Sequence, residues 1–124
     1  MPLLALDHVN LRTTRVTEMT AFYRDVLGLV AGPRPAFPFG GAWLYCGERA
    51  VVHLVEVPEA ANREGDLHLE HFAFAARGYP EFLATLTRSA VPYRLSTPTG
   101  GNARQVNIHD PDGNHIHIDF PLDE

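Results

Sequence analysis

Seven of the 124 residues are histidine, and four of them fall in a repeating pattern. Leu6-Asp7-His8-Val9-Asn10-Leu11 recurs as Leu69-Glu70-His71-Phe72-Ala73-Phe74, an offset of 63 residues from His8 to His71. Val51-Val52-His53-Leu54-Val55 recurs as His115-Ile116-His117-Ile118-Asp119, an offset of 64 from His53 to His117. Two matches at nearly one offset indicate a duplicated unit. Neutral imidazole is a ligand for Zn, Ni, Fe or Cu, and a chain whose only thiol is Cys46 has no thiolate set for a closed structural zinc site. The chemistry such residues serve is that of a divalent ion acting on a small molecule.

The elements that must position these histidines follow from periodicity. Residues 4 to 11 alternate as a strand, and Thr14 or Thr17 is the expected cap of a helix whose apolar positions Met19, Phe22, Tyr23, Val26 and Leu27 keep helical spacing. Gly28 stops that helix. A short strand at 29–31, a loop at 32–41 and strands at 42–46 and 50–57 follow. The second half repeats the order: a strand at 67–75, a helix opening at Pro80 with Phe82, Leu83, Leu86 and Ala90 on one face, and strands at 91–95, 104–109 and 114–120. Asp110-Pro111-Asp112-Gly113-Asn114 supplies the acceptor, the fixed φ and the permissive φ of a tight hairpin. The expected organisation is one domain, 1–124, of class α+β, built as tandem βαβββ modules at about 3–58 and 66–122 and joined by the polar stretch Glu59 to Asp66.

Strand side chains alternate between faces, so Leu6, His8 and Asn10 share one face while Val9 and Leu11 meet the helix. The same parity groups Val51 with His53 and Val55, and His115 with His117 and Asp119. If the two sheets pair about a pseudo-twofold axis, His8, His53, His71 and His117 converge on one point and cage a metal. His68 lies on the opposite face from His71 and is expected in solvent. His109, beside the turn, is expected to be structural. His115 falls near the rim, as a contact to substrate or to a ligating histidine.

Composition narrows the partners. A net charge of -5 with no cluster of Lys and Arg excludes a nucleic-acid groove. No segment is long and apolar enough to span a membrane. One cysteine cannot form an internal disulfide, which suits a reducing, cytoplasmic setting.

The chain resembles the vicinal oxygen chelate superfamily, which includes glyoxalase I, fosfomycin-resistance thiol transferases, extradiol dioxygenases and metal-free bleomycin-binding proteins. The resemblance spans nearly the whole chain and rests on Leu6-Asp7-His8-Val9, Ala21-Phe22-Tyr23-Arg24-Asp25-Val26-Leu27-Gly28-Leu29, Leu69-Glu70-His71 and Asp110-Pro111-Asp112-Gly113-Asn114. It implies a cupped mixed sheet with the helices on its outer face. It also implies a homodimer and one divalent ion, Zn first and Ni, Fe or Mn after it, held by His8, His53, His71 and His117. Where the family's last strand usually carries Glu, this chain has His117, and glyoxalase I commonly has Glu at the place of His53. An all-imidazole set lacks a carboxylate base, which leaves displaced His117 or His53 as the candidate catalytic base. Trp43 and Tyr45 are expected to lie opposite Gln105 and Asn107 on the cavity face, with Phe37 and Phe39 above. Asn10, Arg104, Gln105, Asn107 and His115 supply polar substrate contacts. The implied activity is that of a metal-dependent lyase or isomerase on a substrate with vicinal oxygens. A ferrous extradiol-type dioxygenase and a metal-free drug-binding protein are the alternatives.

Overall fold

The computed structural model describes residues 4–60, 68–97 and 103–123. The linking stretch Glu59 to Asp66 lies outside the described residues from position 61 onward, as do the first residue of the strand expected at 67–75 and the outer limits of the modules at 3 and 66. The chain divides into two compact units, Met1–Asn62 and Arg63–Glu124.

The first unit runs β1 (Val9–Thr13), α1 (Val16–Asp25), β2 (Val30–Gly32), β3 (Gly41–Cys46) and β4 (Arg49–Glu56). Its four strands form one mixed sheet in the order β1-β4-β3-β2, with β1 parallel to β4 and the other neighbours antiparallel. The second unit repeats this as β5 (Phe72–Ala75), α2 (Tyr79–Arg88), β6 (Arg94–Ser96), β7 (Ala103–His109) and β8 (His115–Pro121), in the order β5-β8-β7-β6. Each unit is thus a βαβββ module of α+β class.

In the first module the helix-facing side of the sheet is apolar. Leu11, Leu44, Val52 and Leu54 are buried there, and α1, packed on β2, β3 and β4, adds fully buried Met19 and Tyr23. In the second, Val106, Ile108, Ile116, Ile118 and Phe120 form the equivalent face. The rings of Tyr79 and Phe82 on α2 meet Phe120 at 5.5 and 5.6 Å, and Leu86 is fully buried. The buried apolar side chains turn every alternate residue of the central strands, including His53 and His117, toward the other face.

Several boundaries differ from the sequence pattern. The expected strands at 4–11 and 67–75 begin only at Val9 and Phe72, where pairing with Val52 and Ile116 starts. His8 and His71 therefore sit just ahead of their strands. Neither Thr14 nor Thr17 caps α1: the N-cap is Arg15 with no side-chain cap, and Thr13, nearly fully buried, accepts the Arg15 N–H at 2.9 Å through Oγ1. Gly28 ends α1 with φ +75°, and its N–H reaches Arg24 O at 3.0 Å while Leu29 N–H reaches Tyr23 O at 2.9 Å.

The Asp-Pro-Asp-Gly-Asn turn is built as its residues dictate. Asp110 Oδ1 accepts the N–H groups of Asp112 and Asn114 at 3.0 and 2.9 Å, Oδ2 accepts the Asn114 side-chain amide at 2.8 Å, and Gly113 takes φ +83°. This turn sets the register of β7 on β8 and so fixes which residues face His117.

Candidate metal and substrate site

Each module carries one row of paired residues across the face turned away from its helix. In the first module the row is Asn10, His53, Trp43, Gly32, each the Cα partner of the next. In the second it is Ala73, His117, Asn107, Arg94. His53 and His117 thus hold equivalent places, as the repeat requires. Trp43, however, corresponds to Asn107 rather than to Gln105, and Gly41 takes the place equivalent to Gln105. A register shift between Leu44 and Tyr45 breaks the simple alternation there, and Tyr45 spends its hydroxyl on the carbonyl of Pro33.

The first module presents a stack of three rings. His53 lies between His8 and Trp43, with centroids 3.9 Å from each and planes 12° and 11° from parallel. His53 is buried and its Nε2–H donates to Ala50 O at 3.0 Å, which leaves Nδ1 with the lone pair. Burial, and then the neighbouring His8, hold His53 below the usual imidazole range, so it is neutral near pH 7. His8, more exposed, donates from Nδ1 to Asp7 Oδ2 at 2.7 Å. Beyond Trp43 the aromatic surface continues through Phe37, 6.4 Å away, to Phe39, and the guanidinium of Arg34 lies 5.1 Å over Phe37.

The second module presents a hydrogen-bonded cluster. The His71 and His117 rings are 4.2 Å apart. His117 is buried and donates from Nδ1 to Asp119 Oδ1 at 2.6 Å. Glu70 accepts from His71 Nδ1 at 2.7 Å and lies 2.8 Å from His115 Nδ1, contacts that pull its carboxyl down to about 2. Asn107 gives its amide hydrogens to Arg94 O and Ser96 Oγ at 3.1 and 3.0 Å, so its Oδ1 accepts from His115 Nε2 at 2.9 Å. The chain of bonds continues from the Ser96 hydroxyl to Gln105 Oε1 at 3.1 Å. Among the described residues, Glu70, His71 and His115 form the one group of three with ligand atoms mutually within 4.8 Å.

The expected site residues therefore divide. In the first module the structure gathers His8, His53 and Trp43, with Asn10 alongside. In the second it gathers His71, His115, His117, Asn107 and Gln105. It does not bring Arg104 to them: Arg104 has the opposite parity, and its guanidinium lies 5.1 Å over the ring of Tyr79, on the helix side of the sheet. His68 is exposed, as expected, and His109 stacks at 5.2 Å on His115 across the hairpin. Sequence reasoning missed Glu70 and Asp119 as members of the cluster. Both were signalled, Glu70 by matching Asp7 in the repeat and Asp119 by sharing the parity of His117. Asp119 also lines an open groove of about 630 Å³ with Ala75, Arg77, Ala103 and Phe120.

Residues 5–118 match the family described as the Glyoxalase/Bleomycin resistance protein/Dioxygenase superfamily. No curated protein matches the sequence. Among solved structures, a glyoxalase family protein from Bacillus anthracis is similar at 22% identity over 98% of each chain, with a TM-score of 0.79. Lactoylglutathione lyase from Agrobacterium tumefaciens is similar at 23% identity over 97% of this chain and 96% of its own, with a TM-score of 0.72. A glyoxylase/bleomycin resistance protein/dioxygenase domain from Frankia sp. has a TM-score of 0.79 at 13% identity, over 97% of this chain and 99% of its own. At these identities the likeness is one of fold.

Proposed function

The chain belongs to the Glyoxalase/Bleomycin resistance protein/Dioxygenase superfamily, and on that premise we propose that it is a divalent-metal-dependent lyase or isomerase of the glyoxalase type. Its substrate is a small molecule with two neighbouring oxygen atoms. The similar fold of a lactoylglutathione lyase supports this class of reaction.

The observation that carries the proposal is the state of the four repeated histidines. Each has one ring nitrogen held by an oxygen acceptor, Asp7, Ala50 O, Glu70 or Asp119, and among the described residues no hydrogen bond to the other. This is the arrangement of imidazoles prepared to ligate, with the outer N–H fixing the inner lone pair. Imidazole donors without thiolate fit Zn first, and Ni, Fe or Mn. We assign His8 and His53 in the first module and His71 and His117 in the second as ligands. His115, with both nitrogens engaged, fits the surrounding layer.

A divalent ion bound by these residues would supply Lewis-acid polarisation of a substrate oxygen. The protein supplies the rest. Trp43 and Phe37 offer an apolar surface to the substrate body and Asn10 offers an amide group, whereas the amide of Asn107 is spent on Arg94 O, Ser96 Oγ and His115. Displaced from the ion, His53 or His117 would serve as the proton acceptor, since the carboxylates beside them, Asp119 and Glu70, are engaged by imidazole nitrogens.

A second reading, a metal-free binding protein, is favoured by one observation. The rings of His8 and His53 lie face to face, so their in-plane lone pairs run in parallel planes and not toward a common point. Elemental analysis of protein purified without tag or chelator separates the readings. Near one equivalent of a transition metal per chain, lost in His117→Ala, supports the enzyme. No uptake after supplying Zn, Ni, Fe and Mn supports the binding protein. Ferrous iron with oxygen uptake on a catechol-like substrate identifies a dioxygenase.

A further inference from the structure

Three of the four histidines are held by a carboxylate, and the fourth is not. His8 Nδ1 lies 2.7 Å from Asp7 Oδ2, His71 Nδ1 lies 2.7 Å from Glu70 Oε1, and His117 Nδ1 lies 2.6 Å from Asp119 Oδ1. An ionised carboxylate only accepts, so Nδ1 must carry the hydrogen in each, and a neutral imidazole then bears its lone pair on Nε2. His53 is the exception and is held the other way round by a neutral carbonyl.

Resting on the metal-binding reading above, we propose that Asp7, Glu70 and Asp119 are positioning residues. They fix the Nδ1–H tautomer of His8, His71 and His117 and so leave the lone pair of each on Nε2, the nitrogen that would ligate. They also return to the site, one hydrogen bond behind the ligands, the negative charge that an all-imidazole set lacks. A carboxylate behind an imidazole raises its basicity toward a metal.

The three are not equal. Asp7 and Glu70 are 78% and 71% exposed and their histidines 39%, whereas Asp119 is 31% exposed and His117 only 9%. Water competes for the first two bonds and is largely kept from the third. Asp119 therefore has the largest effect. Its cross-strand partner Gln105 has its own oxygen engaged by Ser96. Glu70 has a second role, holding His115 as well as His71.

The test has two readouts on the full-length protein. Nitrogen-15 NMR of the metal-free chain is expected to show hydrogen on Nδ1 of His8, His71 and His117 and on Nε2 of His53. Asp119→Ala should release His117 to the other tautomer and weaken Zn²⁺ binding, measured by chelator competition, roughly 10–100-fold. Asp119→Asn, whose amide oxygen still accepts, should keep the tautomer and lose less affinity. Asp25→Ala, which removes an exposed partner of Arg24, should change neither. Should Asp119→Ala fail to fold, Asp7→Ala at an exposed position gives the same reading on His8. Unchanged tautomer and unchanged affinity in these variants overturn the proposal. Absence of Zn²⁺ binding by the unmodified chain overturns the metal reading instead, while the tautomers still decide the role of the carboxylates.

Discussion

The indole of Trp43 lies flat on the imidazole of His53, centroids 3.9 Å apart, because the two residues are partners across β3 and β4 on the face turned from the helix. Trp43 is the only tryptophan in the chain. Its emission therefore reports on His53 without interference. Titration with Zn²⁺ should change the intensity of Trp43 fluorescence, and His53→Ala should abolish that change.

Ligand replacement should be graded by position. An outer carboxylate is worth about 10–100-fold in affinity, so removing a ligand itself should cost at least roughly tenfold. His8→Ala, His53→Ala, His71→Ala and His117→Ala should each do so in chelator competition. His68→Ala, at an exposed position, should leave affinity unchanged.

Asn107 couples the cluster to the edge strand. It is buried, and it bonds Arg94 O, Ser96 Oγ and His115. Asn107→Leu leaves the His115 N–H and the Ser96 hydroxyl without this partner and should lower unfolding free energy by about 1–3 kcal/mol in urea titration. Asn107→Asp, which keeps the acceptor toward His115, should lose less.

Gly28 tests the backbone alone. It has φ +75°, and nothing lies within 4 Å of where a Cβ would stand. Gly28→Ala should therefore cost only the left-handed conformation, about 1–2 kcal/mol, a fall of a few degrees in Tm. Metal affinity should be unaffected.

How much of this was legible in the sequence depends on the kind of information each feature needs. Periodicity alone located α1 through Met19 and Tyr23, and the duplication located His53 and His117 at equivalent places, because both are properties of a pattern along the chain. Strand beginnings were not legible. Leu6 and Leu69 extend the alternation, yet they are 78% and 62% exposed and lie outside the sheets, since a strand exists only where a partner strand receives its hydrogen bonds. The match of Trp43 to Asn107 was missed because a register shift at Leu44/Tyr45 is invisible to alternation. Arg104 was misplaced for the opposite reason: its parity in β7 already put it on the helix side with Val106, and its charge outweighed that signal. The acidic residues beside His71 and His117 stood in plain view, but which oxygen meets which nitrogen is a matter of rotamers.

The turn at Asp110 also bears on the order in which the second module assembles. The β7–β8 hairpin closes over a few residues and its turn is internally bonded, so it forms on the microsecond scale typical of hairpins, of order 1–10 μs. β5 reaches β8 only by a parallel crossover that carries α2, a longer loop whose closure comes later. The expected order therefore sets His117 opposite Asn107 before the segment bearing Glu70 and His71 arrives. Substitutions in the turn should slow refolding of this module, whereas changes at His71 should alter only its unfolding.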